Sequence, residues 1–117
     1  PNGNGIAAVA LQRLGHILGE ARYLQSAERT LRAFDSLIKR NPAGCASLTH
    51  ALNEYLTPPT MVIIRGREKS LKSWRSEINQ RFYPHHLFFY LDEHATSLPA
   101  TLQRNLPENS QNDVNAW

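Results

Sequence analysis

The chain has 117 residues and a mass of 13.3 kDa, with 41% hydrophobic residues, 20% charged residues and a net charge of +3. That composition excludes a disordered polyelectrolyte, and a single cysteine, Cys45, excludes a disulfide-framed miniprotein. No apolar run approaches the roughly 20 residues that span a bilayer, so no membrane partner is expected, and the cysteine usage fits a reducing, cytoplasmic setting.

In chain order, the first predicted helix covers residues 5–18. Ile6, Val9, Ala10, Leu14, Ile17 and Leu18 recur at steps that stack them on one face. Asn4 is the expected N-cap and Gly19 the expected stop. A second helix follows from about Arg22 to Lys39, with Leu24, Ala27, Leu31, Phe34 and Ile38 forming a narrow seam. Asn41-Pro42 ends it. The short link between these helices predicts an antiparallel hairpin. A third helix spans about Ala46 to Leu56, with Leu48, Leu52, Tyr55 and Leu56 as its apolar side, and Pro58-Pro59 terminates it. Met61-Val62-Ile63-Ile64 then reads as a strand covered on both faces. Residues 67–82 return to a helical period, with Leu71, Trp74, Ile78 and Phe82 on one side and Pro84 as the stop. His86 to Leu91 is a second apolar strand. Strand, helix, strand makes a βαβ unit with parallel strands. The expected class is therefore α+β: a helical hairpin and a third helix, then a small βαβ element. Two strands alone are not independently stable, so a further strand or a cover is needed. The Asn-rich tail after Leu98 reads as loop until Ala116-Trp117.

Charge is unevenly spread. Residues 59–82 carry six Lys/Arg against two Asp/Glu, whereas residues 83–117 carry one against four. The basic stretch is read as the solvated face of an amphipathic helix. It lacks the aromatic interleaving of a single-strand binder, so no nucleic-acid partner is expected. Arg65-Gly66-Arg67 stands between a strand and a helix, where α/β folds hold phosphates on free amides. One glycine in such a turn is also ordinary turn chemistry, and neither G-x-G-x-x-G nor G-x-x-x-x-G-K-[ST] is present. The ligand-binding candidates are Arg65 and Arg67 at this turn, with Asn2 and Asn4 in the turn cluster before the first helix. There, amide side chains either line a pocket or simply cap the helix.

Three other constellations are read as structural. His85-His86 would point to opposite faces of a strand, and with Asp92 and His94 they match no metal-ligand spacing, so no metal or other cofactor is expected. One imidazole should be exposed and one packed. Cys45 and His50 lie about 140° apart around a helix, which reads as a buried thiol rather than a nucleophile and base. Glu28 and Arg32 form a surface ion pair at four-residue spacing.

The order of Pro1-Asn2-Gly3-Asn4, Glu28-Arg29-x-Leu31-x-Ala33-Phe34, Pro58-Pro59, Val62-Ile63-Ile64-x-Gly66 and Phe82-x-Pro84 resembles the C-terminal part of the YyaL-like proteins. These are also called spermatogenesis-associated-protein-20-like, thioredoxin-domain-containing proteins. The resemblance implies a long parent with an N-terminal thioredoxin-like domain and a helical toroid similar to six-hairpin glycosidases and acylglucosamine 2-epimerases. Residues 1–57 would then be the last toroid helices, residues 58–104 a small α/β element, and residues 105–117 a polar tail leading into a missing strand. His85-His86 departs from the Asn-Lys-like pair expected at that position.

With no initiator Met and an end on Trp117, the chain is expected to be a piece of that longer protein, without a complete active site, with the rest of the parent as its partner. Any carbohydrate-acting or redox-linked activity would belong to the parent. The alternative is a stand-alone module holding a phosphorylated ligand at Arg65-Gly66-Arg67. The piece should expose apolar surface on the Leu24–Leu31–Ile38 seam or the Ile6–Leu14 face, and so self-associate.

Overall fold

The computed structural model describes residues 2–103 and 114–116. Pro1, the tract 104–113 and Trp117 lie outside the described residues, and so does most of the polar tail expected over 105–117. The chain divides into two compact units, Pro1–Pro58 and Pro59–Trp117.

The first unit is helical: α1 (Gly3–Leu18), α2 (Ala21–Ala33), α3 (Asp35–Arg40), a single 3-10 turn (Ala43–Cys45) and α4 (Ala46–Leu56). Gly19 ends α1 in the left-handed conformation, φ 69°, which a side chain would oppose. The N-cap is Asn2 rather than Asn4. Its Oδ1 accepts from the Asn4 amide at 2.9 Å, which places the helix start two residues earlier. The second predicted helix is interrupted at Phe34 (φ −104°, ψ 7°). The Phe34 amide still donates to Thr30 and Leu31 carbonyls, while its own carbonyl starts the next helix by accepting from Leu37 and Ile38. Asp35 in the first turn of α3 complements the new helix dipole. The seam survives the break: Ala27, Leu31 and Ile38 are buried, and Phe34 is half-buried.

The buried face of α1 is not the one its large apolar residues define. Gly5, Ala8, Gln12 and Gly15 face inward, whereas Ile6 is 57% exposed and Leu14 44% exposed. Close helix approach selects the side with the least side chain. A Cβ on Gly5 would lie 2.5 Å from the Ser47 carbonyl carbon of α4. Ala8, Ala27, Leu48 and Ala51 fill that tight contact. Gln12 is accommodated because its Nε2 donates to the Ala51 carbonyl at 3.0 Å. The same logic corrects α4: Leu48 is buried as expected, but Ala51 and Glu54 share that face while Leu56 is 70% exposed.

The second unit contains β1 (Thr60–Gly66), α5 (Glu68–Ile78), β2 (His86–Asp92), α6 (Ala100–Gln103) and β3 (Val114–Ala116). β1 and β2 are parallel, in register from Thr60 opposite His86 to Gly66 opposite Asp92. Adjacent Ile63 and Ile64 are both buried, so β1 is covered on both faces, as its unbroken apolar run requires. α5 ends at Ile78, four residues before the predicted end. The Asn79 to Arg81 amides close a turn back onto Arg75, Glu77 and Ile78 carbonyls, and Phe82 is left 87% exposed.

Where the sequence reads a tail leading to a missing strand, residues 114–116 pair antiparallel with β1, giving a mixed sheet in the order β2-β1-β3. Val114 pairs with Gly66, so β1 runs two residues past its apolar core before it ends.

Candidate functional site

The C-terminal end of the parallel pair is where an open α/β sheet presents its ligand crevice. Here Arg65 and Gly66 leave β1, α5 begins at Glu68, and Asp92 to Ala95 form the loop after β2. Arg65 turns its guanidinium onto that loop. Its Nη2 donates to the Glu93 carbonyl at 2.5 Å and to the Ala95 carbonyl at 3.2 Å. Arg67 pairs with the Glu93 carboxylate at 3.8 Å. The loop is closed further by Asp92, whose Oδ1 accepts from the His94 amide at 2.8 Å. Glu93 N donates to the Gly66 carbonyl, tying the loop to β1.

The negative charge that suits the α5 N-terminus is supplied by Glu68. Its carboxylate is held below the usual Glu range chiefly by the Lys72 ammonium, which bonds it at 2.6 Å. Both arginines of the predicted turn therefore contact the β2 loop, and a carboxylate already stands in the first turn of the helix.

Asn2 and Asn4 have different roles. The Asn2 amide donates to Ser47 Oγ at 3.0 Å, and Ser47 Oγ donates to the Asn2 carbonyl at 3.0 Å. With its cap on Asn4, Asn2 ties the start of α1 to the first turn of α4, while Asn4 is exposed.

Sequence reasoning missed the most enclosed charge in this unit. Glu54, with a side chain only 7% exposed, accepts from Arg13 through both carboxylate oxygens, and His50 Nε2 lies 3.4 Å from one of them. That pairing raises the Arg13 pKa above its ordinary value, first through the hydrogen bond to Glu54. The available signal was weak: His50 and Glu54 stand four apart on α4, but Arg13 comes from another helix. Beside this triad, a groove of about 390 Å³ is lined by Ile6, Val9, Ala10, Arg13, Ser47 and His50.

Both His85 and His86 are exposed, which corrects the expectation of one packed ring. His86 nevertheless stacks on Phe88 at 6.0 Å and meets the Tyr83 ring edge at 5.5 Å. Cys45 is buried, as expected. Among the described residues no three His, Cys, Asp or Glu side chains gather where they could hold a metal, and no helix is long and apolar enough to cross a membrane. Comparison with family models, with curated proteins and with solved structures returns no match.

Proposed function

We propose that this chain is a structural part of a longer, YyaL-like thioredoxin-domain-containing protein, its helical unit forming one stretch of a toroid wall and its α/β unit an appended cap. The observation that carries this reading is the outward apolar stripe on α1. Ile6, Leu14 and Leu18 are 57%, 44% and 39% exposed, while the glycine and alanine side of the same helix is buried. A helix with a tight inner contact and large apolar residues outside is suited to a layer between neighbours. In a ring of hairpins, the next hairpin would cover Ile6 and Leu14. The groove at Ile6, Val9 and Ala10 offers that neighbour a place for its side chains. On this reading the chain's contribution to any parental reaction is to shape and support the wall, with Asn2 fixing the start of α1 rather than reaching for a ligand.

The test is the native polypeptide. Antibodies raised against the helical unit should detect a protein several times heavier than 13.3 kDa, and peptides from that band should include thioredoxin-like sequence and further helical hairpins. A native product of 13.3 kDa overturns the proposal. In the isolated chain, Leu14→Glu should lower binding of a hydrophobic dye at least twofold without loss of helical signal. Unchanged dye binding would remove the support drawn from α1.

A further inference from the structure

β2 is built like an interior strand but stands at the edge of its sheet. Among the described residues it pairs with β1 alone. Its core, Leu87-Phe88-Phe89-Tyr90-Leu91, is apolar or aromatic on both faces and carries no charge and no proline. Its one-to-one register with β1 contains no bulge. Those are the devices by which an edge is normally protected against another strand.

The direction of the free backbone groups follows from the ends of the ladder. Thr60 N donates to the His85 carbonyl, and Glu93 N donates to the Gly66 carbonyl. Odd-numbered residues of β2 therefore turn their amides and carbonyls toward β1, and even-numbered residues turn theirs outward. At the extremes, His86 N bonds the Tyr83 carbonyl and the Asp92 carbonyl accepts from Ala95 N. What faces outward for a new strand is the His86 carbonyl, both groups of Phe88 and Tyr90, and the Asp92 amide.

We propose that β2 pairs antiparallel with β2 of a second copy of this chain, about a two-fold axis at Phe89. This arrangement is independent of the toroid reading. It places Phe88 opposite the partner's Tyr90 as a hydrogen-bonded pair, exchanging amide and carbonyl bonds. The His86 carbonyl accepts from the amide of the partner's Asp92. Phe89 meets the partner's Phe89 as the closer, non-hydrogen-bonded pair. Leu87 meets the partner's Leu91. Side-chain chemistry agrees with backbone phase: the His86 imidazole, an N–H donor, is set opposite the carboxylate of the partner's Asp92, and the symmetry repeats this at the other end. A register shifted by two residues keeps the hydrogen-bond phase but loses this match of His86 with Asp92. The two three-stranded sheets become one continuous sheet, with each β2 turned from an edge into an interior strand.

Sedimentation equilibrium of the 117-residue chain should then give twice 13.3 kDa. The register is read by Phe89→Cys, which brings two identical residues face to face at a separation that a disulfide bridges. Under mild oxidation it should cross-link into a covalent dimer at least tenfold faster than Tyr90→Cys, while the wild-type chain, with Cys45 buried, stays uncross-linked. Tyr90→Pro removes an outward-facing amide and the ring beneath the Arg75 guanidinium but no hydrogen bond to β1, and should weaken dimerisation at least tenfold, whereas Tyr90→Phe, which keeps the amide, should not. Hydrogen exchange needs no variant: Phe88 and Tyr90 amides should be protected only at dimer-forming concentrations, and Phe89 at all concentrations. A monomer at hundreds of micromolar overturns the proposal. So does a dimer that Leu14→Glu dissolves and in which Phe88 and Tyr90 exchange freely, since that would place association on α1.

Discussion

Three glycines of the helical unit make a graded test of the claim that α1 is positioned by its smallest residues. At Gly5 an added Cβ would sit 2.5 Å from the Ser47 carbonyl carbon and 2.6 Å from the Leu48 amide nitrogen, both backbone atoms. Ordinary van der Waals contact begins near 3.4 Å, so α1 and α4 must move apart by most of an ångström. That opens the Ala8, Leu48 and Ala51 contact. Overpacking of this kind costs roughly 1–3 kcal/mol, and a backbone obstacle belongs at the upper end. Helix propensity returns about 1 kcal/mol for Gly→Ala. The net expectation for Gly5→Ala is a loss of about 2 kcal/mol. At Gly15 the nearest obstacle is the Leu24 side chain, at 2.6 Å, which can rotate, and the Leu24 amide nitrogen at 3.2 Å need give by only a few tenths of an ångström. Gly15→Ala should therefore lose no more than about 1 kcal/mol. At Gly3 nothing lies within 4 Å, and Gly3→Ala should gain up to about 0.5 kcal/mol. Urea titration followed by circular dichroism at the helix band reads all three. Equal slopes would show that only the folding free energy has changed. A Gly5→Ala chain as stable as wild type, or as stable as Gly3→Ala, would refute the account of why α1 turns its large residues outward.

Glu54→Gln should destabilise the helical unit by about 2 kcal/mol, because the bonds from Arg13 lose their charge in a site with little water. A double-mutant cycle with Arg13→Met separates the pair from the packing, and no coupling between the two would refute it. Arg65→Met should speed hydrogen exchange in the Asp92 to Ala95 loop at least tenfold while leaving β1 protected, since the Arg65 guanidinium bonds two of its carbonyls; an unchanged loop argues that the turn bonds suffice. The Glu68 carboxyl should titrate below its ordinary 4.5, because Lys72 stabilises its charged form. Its contribution to α5 is complete above the ordinary Glu range and is lost as pH falls through the depressed value. An NMR titration of Glu68 checks this, and Lys72→Met should return the midpoint toward 4.5.

The features legible in the sequence are those set by local chemistry or by a continuous apolar run. Gly19 and the bounds of α4 are of the first kind, and β1 and β2 of the second. The i, i+4 pair Glu28–Arg32 also forms, at 2.6 Å. Apart from the break at Phe34 and the early end of α5, which are made by bonds within four residues, three misreadings share a different cause: each depends on a contact from far along the chain. Asn2 rather than Asn4 caps α1, and Ser47, forty-five residues away, holds Asn2 in place. The inward side of α1 is decided by how near the α4 backbone comes to Gly5. Periodicity cannot register this, because it weights large apolar residues and ignores glycine. β3 was hidden because three residues in a polar tract carry no pattern of their own; their pairing is with Ile64 to Gly66.

The same division explains the candidate site. Arg65-Gly66-Arg67 is visible in the sequence as two cations around a glycine, but the carbonyls that Arg65 bonds lie twenty-eight and thirty residues on. Charge in sequence indicates what a turn could attract; only the fold shows what it has already attracted. Glu54 is the converse, one acidic residue among several in the sequence, singled out in three dimensions by Arg13 from another helix. Local bonds therefore set the elements of this chain, while distant contacts set their orientation and the use of their charges. By that argument two of the surfaces its described fold leaves uncovered, the α1 stripe and the β2 edge, are to be assigned by what is brought to them rather than by their own pattern.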